Sequence, residues 1–345
     1  MDQSITHSFV DLEYGSVEDL LRKSFEYAYE QGWTDGLPII PATAKLVQEF
    51  VAASGRKADD MIGLIPPRKG RATIEAIAIN AVMAGCQPEY MPVIVATVEA
   101  MVDPTYPLEY MQVTTNAITP FLLINGPIRK KLDINSGTSC LGPGWRANST
   151  IGRAVRLLLN NIGGALPGVY SKATFSSPLR YSYICGENEE ENRWSPFHVD
   201  RGFRKEDSAV TVFRAANYCN ISGGEGVRPD EILRQIATNM PPLYGGGGGD
   251  GLLLLLGINH ARSLADAGVT KREIQEKIFE MARLPASYFS KTFVARETEA
   301  GRGDGKTVWR ARRPEEVYVV VAGGEGPQDL YIGAGSPQTR LIKEI

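Results

Sequence analysis

The sequence predicts an α/β fold, with a mixed sheet and helices on its faces. Short apolar runs next to glycine, at residues 121–126, 252–256 and 317–321, are typical of buried central strands. Segments with helical spacing of apolar residues separate these runs. A strand followed by glycine and a short basic helix occurs twice, at 122–132 and 254–264, which is compatible with two related βα halves.

Residues 1–45 are predicted to form an N-terminal helix and an extended arm. The helix runs from the N-cap Ser16 to Gly32, and residues 33–42 form a turn and an extended piece between prolines. Its apolar side consists of Val17, Leu20, Leu21, Phe25 and Ala28. This pattern indicates a helix that buries one side.

Residues 46–175 are predicted to form a first α/β half. Helices are expected at about 43–53, 73–84, 91–101 and 151–162, and a short strand at 121–126. Asn148, Ser149 and Thr150 are acceptable N-caps for the last of these helices, and Gly163 is its stop.

Residues 176–345 are predicted to form a second α/β half. The expected strands are 180–185, 209–213, 252–256 and 317–321, and the expected helices are 229–239, 261–267 and 271–282. The glycine run 245–249 is expected to be a flexible hairpin or lid.

Composition excludes several functions for these 345 residues. The net charge of −3 gives no electrostatic case for nucleic acid or an anionic membrane as a partner. No apolar run approaches the length of a membrane span, and the first residues do not resemble a secretion signal. The four cysteines form no Cys-x-x-Cys pair, which argues against a disulfide scaffold or a zinc knuckle. We therefore expect a cytoplasmic protein with free thiols.

Cys140 lies in a loop rich in glycine and proline, within residues 135–154. Such a loop, close to a helix start, can aim backbone N–H groups at a thiolate or an anion. Arg146 would add positive charge, and amides around Gly142 and Gly144 would form an oxyanion site. The alternative is a small buried residue in a tight turn.

Residues 185–202 form the second candidate region. They leave a predicted strand and carry Glu187, Glu190 and His198. An imidazole and carboxylates at a strand end suit proton transfer or a divalent metal. The alternative is a solvated acidic loop with a packed histidine. His260 follows another predicted strand, at a position suited to an active site, although a histidine at a helix start is more often structural.

Five segments together resemble an uncharacterised bacterial family. They are residues 35–41, 63–68, 76–86, 135–148 and 187–199. Proteins of this family are encoded beside, or fused to, small thiol or selenocysteine proteins of the UGSC type. The resemblance implies a partner and thiol redox chemistry. This chain has no Cys-Gly-Ser-Cys segment, so chemistry of that kind would need the second polypeptide.

The leading hypothesis is a cysteine-dependent enzyme, one subunit of a hetero-oligomer, that acts on a small molecule as an oxidoreductase or lyase. Cys140 would be the nucleophile, favoured as a thiolate by Arg146, with His198 as acid/base and Glu187 orienting it. Substrate contacts are expected from Gly142, Gly144, Trp145, Asn148, Trp194 and His260.

Two alternatives remain open. In the first, Glu187, Glu190 and His198 bind a divalent metal in a hydrolase or lyase. In the second, the chain is a non-catalytic scaffold for a small thiol or selenoprotein partner, with apolar surface that the complex covers. No cofactor signature is recognisable in the sequence.

Overall fold

The computed structural model describes residues 10–223, 228–240 and 251–343. The glycine run 245–249, expected to be a hairpin or lid, lies outside these residues. The helices of the described part are α1 (Val17–Glu30), α2 (Ala44–Ala52), α3 (Ile74–Ala84), α4 (Met91–Met101), α5 (Leu108–Val113), α6 (Ile128–Lys131), α7 (Arg146–Asn161), α8 (Phe197–Asp200), α9 (Pro229–Asn239), α10 (Ile258–Asp266), α11 (Lys271–Met281) and α12 (Lys291–Glu299).

Most strands of the described part join one sheet. The strands are β1 (Met61–Ile65), β2 (Gly70–Thr73), β3 (Thr119–Asn125), β4 (Ile184–Gly186), β5 (Ala209–Ser222), β6 (Gly251–Leu256), β7 (Arg283–Pro285), β8 (Thr307–Trp309), β9 (Val317–Val321), β10 (Gln328–Ala334) and β11 (Gln338–Leu341). The main sheet has the order β4-β3-β5-β10-β6-β9, and β11 also pairs with β5. β3 is parallel to β4 and β6 to β9, whereas the other pairs are antiparallel. The predicted mixed α/β fold is confirmed.

Both faces of the central strands are buried, because alternate side chains enter different apolar clusters. Leu122 and Ile124 of β3 pack with α3, α4 and α7, whereas Leu252 and Leu254 of β6 pack with α9, α10 and α11. The opposite faces of these strands share a third cluster, called the inner cluster below. It consists of Phe121, Leu123, Cys140, Tyr183, Cys185, Phe197, Phe213, Ala215, Leu253, Leu255, Val320, Ala322, Ile332 and Ala334.

One long strand, β5, pairs with strands of both predicted halves. β5 pairs with β3 and β11 along its first part and with β10 along its second part. The position in the chain where one half gives way to the other stays a prediction. Among the described residues, no helix combines the length and the apolar composition that a bilayer crossing requires.

Three predicted elements differ from the structure in instructive ways. The strand expected at 180–185 is shorter, because Ser177 and Pro178 begin a single helical turn over Pro178–Arg180 and only β4 pairs. Helix α7 begins five residues before the expected start, so its predicted caps lie inside the helix. The apolar side of α1 is only partly buried, since Ala28 is buried while Val17 and Leu21 are exposed.

Candidate active site

The parallel pairing of β3 and β4 brings two cysteines together. The loop that follows β3 carries Cys140, and Cys185 lies on β4 opposite Leu123. The carboxyl ends of parallel neighbours meet at the same edge of a sheet. Both side chains enter the inner cluster, and both thiols are free. Cys185 was not predicted as a site residue, although the sequence places it at the end of a predicted strand.

The side chain of Asn148 fastens the Cys140 loop to β4. Its Oδ1 accepts the Asn135 N–H at 2.8 Å, and its Nδ2 donates to the carbonyls of Asn135 and Cys140, both at 3.0 Å. The same amide reaches the Ile184 carbonyl at 3.4 Å. Asn148 was predicted as a helix cap and a substrate contact. It is 4% exposed and positions the loop instead.

A glycine turn after β9 closes the other side of the Cys140 loop. The Gly323 N–H donates to the Ser136 carbonyl at 2.9 Å. A Cβ on Gly324 would lie 2.2 Å from Thr138 Oγ1, so this close approach requires glycine. Ser139, directly before Cys140, has a φ of 60°, which is uncommon for a residue other than glycine. The loop is therefore held from two sides in a restricted conformation.

The two thiols have opposite electrostatic environments. Hydrogen bonding from the Cys185 thiol is the largest influence on Cys140 and lowers its pKa. The backbone amides of Gly323, Cys140 and Leu141 act in the same direction, and burial opposes them. The same thiol–thiol interaction, together with burial, raises the pKa of Cys185 well above its usual range. Cys140 is 7% exposed and Cys185 0%, so the thiol with the lowered pKa is also the more accessible.

Tyr183 places a hydroxyl near this pair. It lies two residues before Cys185, is 2% exposed and packs against Phe121 with ring centroids 4.7 Å apart and the ring planes tilted by 54°. Its hydroxyl has no hydrogen-bond partner in the described part of the chain. Burial raises the pKa of Tyr183, and the charge of Cys185 adds to the effect. Tyr183 was not predicted as a site residue. Its spacing from Cys185 could have indicated it, because residues two apart on a strand lie on the same face.

Glu187 is buried and fully hydrogen-bonded. Its oxygens accept from Asn125 Nδ2 at 2.6 Å, Asn192 Nδ2 at 2.7 Å and the Phe197 N–H at 2.7 Å. Burial raises the pKa of Glu187 to about 7, and these donors only partly offset it. The carboxyl connects β3 to the loop after β4 and makes no hydrogen bond to His198.

His198 does not form the expected pair with Cys140. Its ring is 0% exposed, and neither ring nitrogen has a hydrogen-bond partner among the described residues. The chain turns after Pro196 into the short helix α8, so Phe197 enters the inner cluster without His198. The acid/base role predicted for His198 has no geometric support at the thiols.

The metal alternative lacks a set of ligands. Arg129 and Lys130 bind Glu190 at 3.2 and 2.9 Å. Burial works to raise the pKa of Glu190, but these cations outweigh it and hold the pKa at about 2. With Glu187 occupied as well, the described residues contain no group of three or more His, Cys, Asp or Glu arranged for a metal ion.

Arg146 and Gly142 have structural partners. Arg146 donates to the carbonyls of Gly85 at 3.0 Å and Cys86 at 3.1 Å, and so ties α7 to the end of α3 rather than acting on Cys140. The Gly142 N–H donates to the Ser139 carbonyl at 2.8 Å, so it is not available for an oxyanion.

Trp194 and His260 also have structural partners. Trp194 Nε1 donates to the Val269 carbonyl at 2.9 Å. His260 Nδ1 lies 2.8 Å from Asp329 Oδ2, and both side chains are buried. Neither residue borders the cleft described next.

A polar cleft of about 470 Å³ lies beside the thiol pair. Residues 133–138 and Trp145 form one wall, and Asn188, Arg262 and Glu325 contribute to the others. Thr138, two residues before Cys140, and Asn188, three residues after Cys185, line this space, whereas the two cysteines belong to the inner cluster and do not line it. Trp145 is the one predicted substrate contact among its lining residues; Gly142 and Gly144 do not line it.

Compared with models of known protein families and with curated protein sequences, this chain matches none.

Proposed function

We propose that this protein is a thiol-dependent oxidoreductase of small molecules, with Cys140 as the nucleophile and Cys185 as the resolving thiol. One observation carries the proposal: two free cysteines are neighbours, and their interaction lowers the pKa of one while raising that of the other. The thiolate is the attacking species in thiol–disulfide exchange, and a resolving partner must stay protonated until its turn.

The proposed reaction is the two-electron reduction of a small disulfide. The Cys140 thiolate attacks one sulfur of the substrate, the substrate S–S bond breaks, and the leaving thiolate takes up a proton. Cys185 then loses its proton and attacks Cys140 Sγ, which releases the second substrate thiol after protonation. The protein is left with a Cys140–Cys185 disulfide, and the substrate has gained two electrons and two protons.

Two thiol groups of a reductant must reduce this disulfide before the next turnover, and they are left joined as a disulfide. We propose a small thiol protein for this step, which is the kind of partner that the family resemblance implies. The cleft beside Cys140 is the route by which both reactants approach, since it lies at the same strand ends as the thiol pair. Substrate entry requires a movement of the loop, because only 7% of Cys140 is exposed.

The test is formation of a specific disulfide. Native protein is treated with a stoichiometric aromatic disulfide, and peptides are mapped by mass spectrometry without reduction. We expect a Cys140–Cys185 linkage and release of two equivalents of aromatic thiol. All variants carry Cys219→Ser, because Cys219 is a free thiol that is less buried than the other three cysteines. In this background Cys185→Ser should stop at the mixed disulfide on Cys140 and release one equivalent, and Cys140→Ser should release almost none.

Cys86→Ser is the matched control. Cys86 is 5% exposed, donates to the Thr150 carbonyl at 3.3 Å and lies outside the inner cluster. This variant should release two equivalents, as the wild type does. A wild type that folds normally but forms no Cys140–Cys185 linkage would remove the proposal.

A scaffold role is the second candidate, and the surface of α1 favours it. Val17, Leu21 and Tyr29 are 66%, 48% and 64% exposed, at a spacing that places them along one side of the helix. A stripe of this kind is typical of a surface that a partner covers. Analytical ultracentrifugation of wild type and Leu21→Glu tests it, and an assembly that only the variant loses would support this role.

A further inference from the structure

One side-chain amide in the cleft beside the thiols has no hydrogen-bond partner. Asn188 lines the cleft and is only 9% exposed, so it is nine-tenths buried. Its side-chain amide makes no hydrogen bond to any residue in the described ranges. Neither of its polar atoms is sealed from solvent, so the amide faces the open space that the residue borders, which is the cleft. Amides buried to this extent ordinarily have partners, and this one is therefore available to a ligand.

The backbone holds Asn188 in place. Its N–H donates to the Val321 carbonyl at 2.7 Å, and its carbonyl accepts from the Asn192 N–H at 3.0 Å. The side chain of Asn192 is occupied, because its Nδ2 donates to Glu187 at 2.7 Å and its Oδ1 accepts from the Trp194 N–H at 2.9 Å. Asn188 instead presents a donor and an acceptor side by side, both without a protein partner.

This amide lies a short stretch of chain away from the thiol pair. Asn188 follows Cys185 by three residues, and Thr138, which also lines the cleft, precedes Cys140 by two. Consecutive Cα atoms are about 3.8 Å apart, so the Cα atoms of Asn188 and Cys185 are separated by at most about 11 Å, and those of Thr138 and Cys140 by at most about 8 Å. A small sulfur compound bound to the Asn188 amide is therefore close to the thiols once the Cys140 loop moves.

The charged residues of the cleft disfavour a substrate that is itself strongly anionic. Carboxylates outnumber cations among the lining residues by four to three. Each cation is already paired. Arg129 Nη2 and Lys130 Nζ lie 3.2 and 2.9 Å from Glu190 Oε1, and Arg262 Nη2 lies 2.8 Å from Glu191 Oε2. None of these three cations is free to bind a carboxylate of a substrate.

We infer that the cleft recognises the peptide backbone of a small disulfide, so that the substrates are disulfides of cysteine amides and short uncharged cysteine peptides; the inference rests on the redox function proposed above. The N–H and C=O of one extended residue lie side by side, and the Asn188 carboxamide can accept from the first and donate to the second. A site built for such a pair rejects an analogue that lacks it, because its polar groups then stay unpaired. The volume of about 470 Å³ lies within the range of ligand pockets.

Three symmetrical disulfides test the substrate class. Reduced protein that carries Cys219→Ser is mixed with the disulfide of N-acetylcysteine methylamide, with 2-hydroxyethyl disulfide or with 3,3′-dithiodipropionate. Formation of the Cys140–Cys185 linkage is followed by quenching and mass spectrometry, and each rate is divided by the rate of the same disulfide with dithiothreitol. We expect the amide disulfide to react at least about tenfold faster than the hydroxyethyl disulfide, because it gains two hydrogen bonds, and the dianion to react slowest.

Asn188→Ala should reduce the preference for the amide disulfide over the hydroxyethyl disulfide by about tenfold, since it removes both hydrogen bonds. Asn239→Ala is the matched control, because Asn239 is exposed on α9, donates to the Gln235 carbonyl at 2.8 Å and does not line the cleft. It should keep the wild-type preference. Should Asn188→Ala fail to fold, the order of the three rates in the parent protein still decides.

A ligand without a disulfide separates this inference from the redox function. N-acetyl-S-methylcysteine methylamide carries the same amides, and ligand-observed NMR should show binding that Asn188→Ala weakens by about tenfold. Such binding without a Cys140–Cys185 linkage for any disulfide would keep the assignment of the cleft and remove the redox function. Two results would overturn the inference: a thioether that does not bind, or a folded Asn188→Ala protein that keeps the full preference for the amide disulfide.

Discussion

Cys86 and Cys140 are two buried cysteines with opposite chemistry. They are 5% and 7% exposed, so burial does not distinguish them. The Cys86 thiol donates to the Thr150 carbonyl, and burial raises its pKa to about 12. The Cys140 sulfur instead receives hydrogen bonding from the Cys185 thiol and from backbone amides, which lowers its pKa. The sign of the shift follows from whether hydrogen bonding to the sulfur outweighs the effect of burial, as it does at Cys140 and does not at Cys86.

The largest expected effect is a difference in alkylation rate between these two cysteines. At pH 7 a thiol with a pKa near 12 is almost wholly protonated, whereas the pKa of Cys140 lies below its ordinary value, which gives Cys140 the larger thiolate fraction of the two. Iodoacetamide should therefore modify Cys140 at least about a thousandfold faster than Cys86. Mass spectrometry of each cysteine from pH 5 to 9 gives both rates.

A denatured sample is the control for that experiment, since all four cysteines should then react at similar rates. Equal protection of Cys140 and Cys86 in the native protein would contradict the comparison. It would show that the loop blocks access to a thiol whose electrostatics are favourable.

Glu187 shows that donors do not always outweigh burial, as they do at Cys140. Its carboxyl accepts three hydrogen bonds, and yet burial, the largest cause, raises its pKa from 4.5 to about 7. Between these two pH values the folded state retains a proton that the unfolded state releases. Stability from this group is complete below pH 4.5 and is lost as the pH rises to about 7, by about 3 kcal/mol. Glu187→Gln should lack this decline.

Urea unfolding of wild type and Glu187→Gln at pH 4.5, 5.5, 6.5 and 8 measures the difference. The gap between the two proteins should change in favour of the variant as the pH rises, and stay constant above pH 8. A constant gap across the whole range would mean that Glu187 remains ionised in the folded protein.

Removal of Cys185 should lower the alkylation rate of Cys140, by less than the difference in rate between Cys140 and Cys86. Cys185→Ala deletes the largest influence that lowers the Cys140 pKa, while the backbone amides remain. We expect the labelling profile of Cys140 to move to higher pH, with a rate at pH 6.5 lower by about tenfold. Cys185→Ser keeps a hydroxyl donor and should fall between wild type and Cys185→Ala; an unchanged profile in both would contradict the assignment.

The sequence predicted the fold better than the site. Glycine-bounded apolar runs identify the core strands β3, β6 and β9, because such runs are typical of strands that bury both faces. The Cys140 loop was also identified from its own composition. Its partner was not, because the approach of Cys140 to Cys185 depends on the pairing of β3 with β4, and register between distant strands has no local signal.

The same limit applies to two residues whose predicted roles are not supported by their contacts. Asn148 reads as a helix cap in sequence, but α7 begins at Arg146, so its amide is free to hold the Cys140 loop. His198 was paired with Cys140 on chemical grounds alone. Its ring is buried, and neither ring nitrogen has a hydrogen-bond partner among the described residues, which composition alone could not predict.

Substitution of Arg146 should have the smallest effect on the labelling rate of Cys140, and it tests whether the charge of Arg146 acts on Cys140 or on Cys86. Sequence position suggests that its charge favours the Cys140 thiolate, whereas the structure assigns its hydrogen bonds to the carbonyls of Gly85 and Cys86. Its charge acts on Cys86, whose pKa it lowers slightly against the dominant effect of burial. Arg146→Met should therefore leave the labelling rate of Cys140 within about twofold of wild type, while unfolding by urea should reveal a loss of about 1 kcal/mol for the missing hydrogen bonds. A Cys140 rate that falls tenfold in a folded Arg146→Met protein would return Arg146 to the active site, and the contrast between the two cysteines would then depend on a guanidinium rather than on the neighbouring thiol.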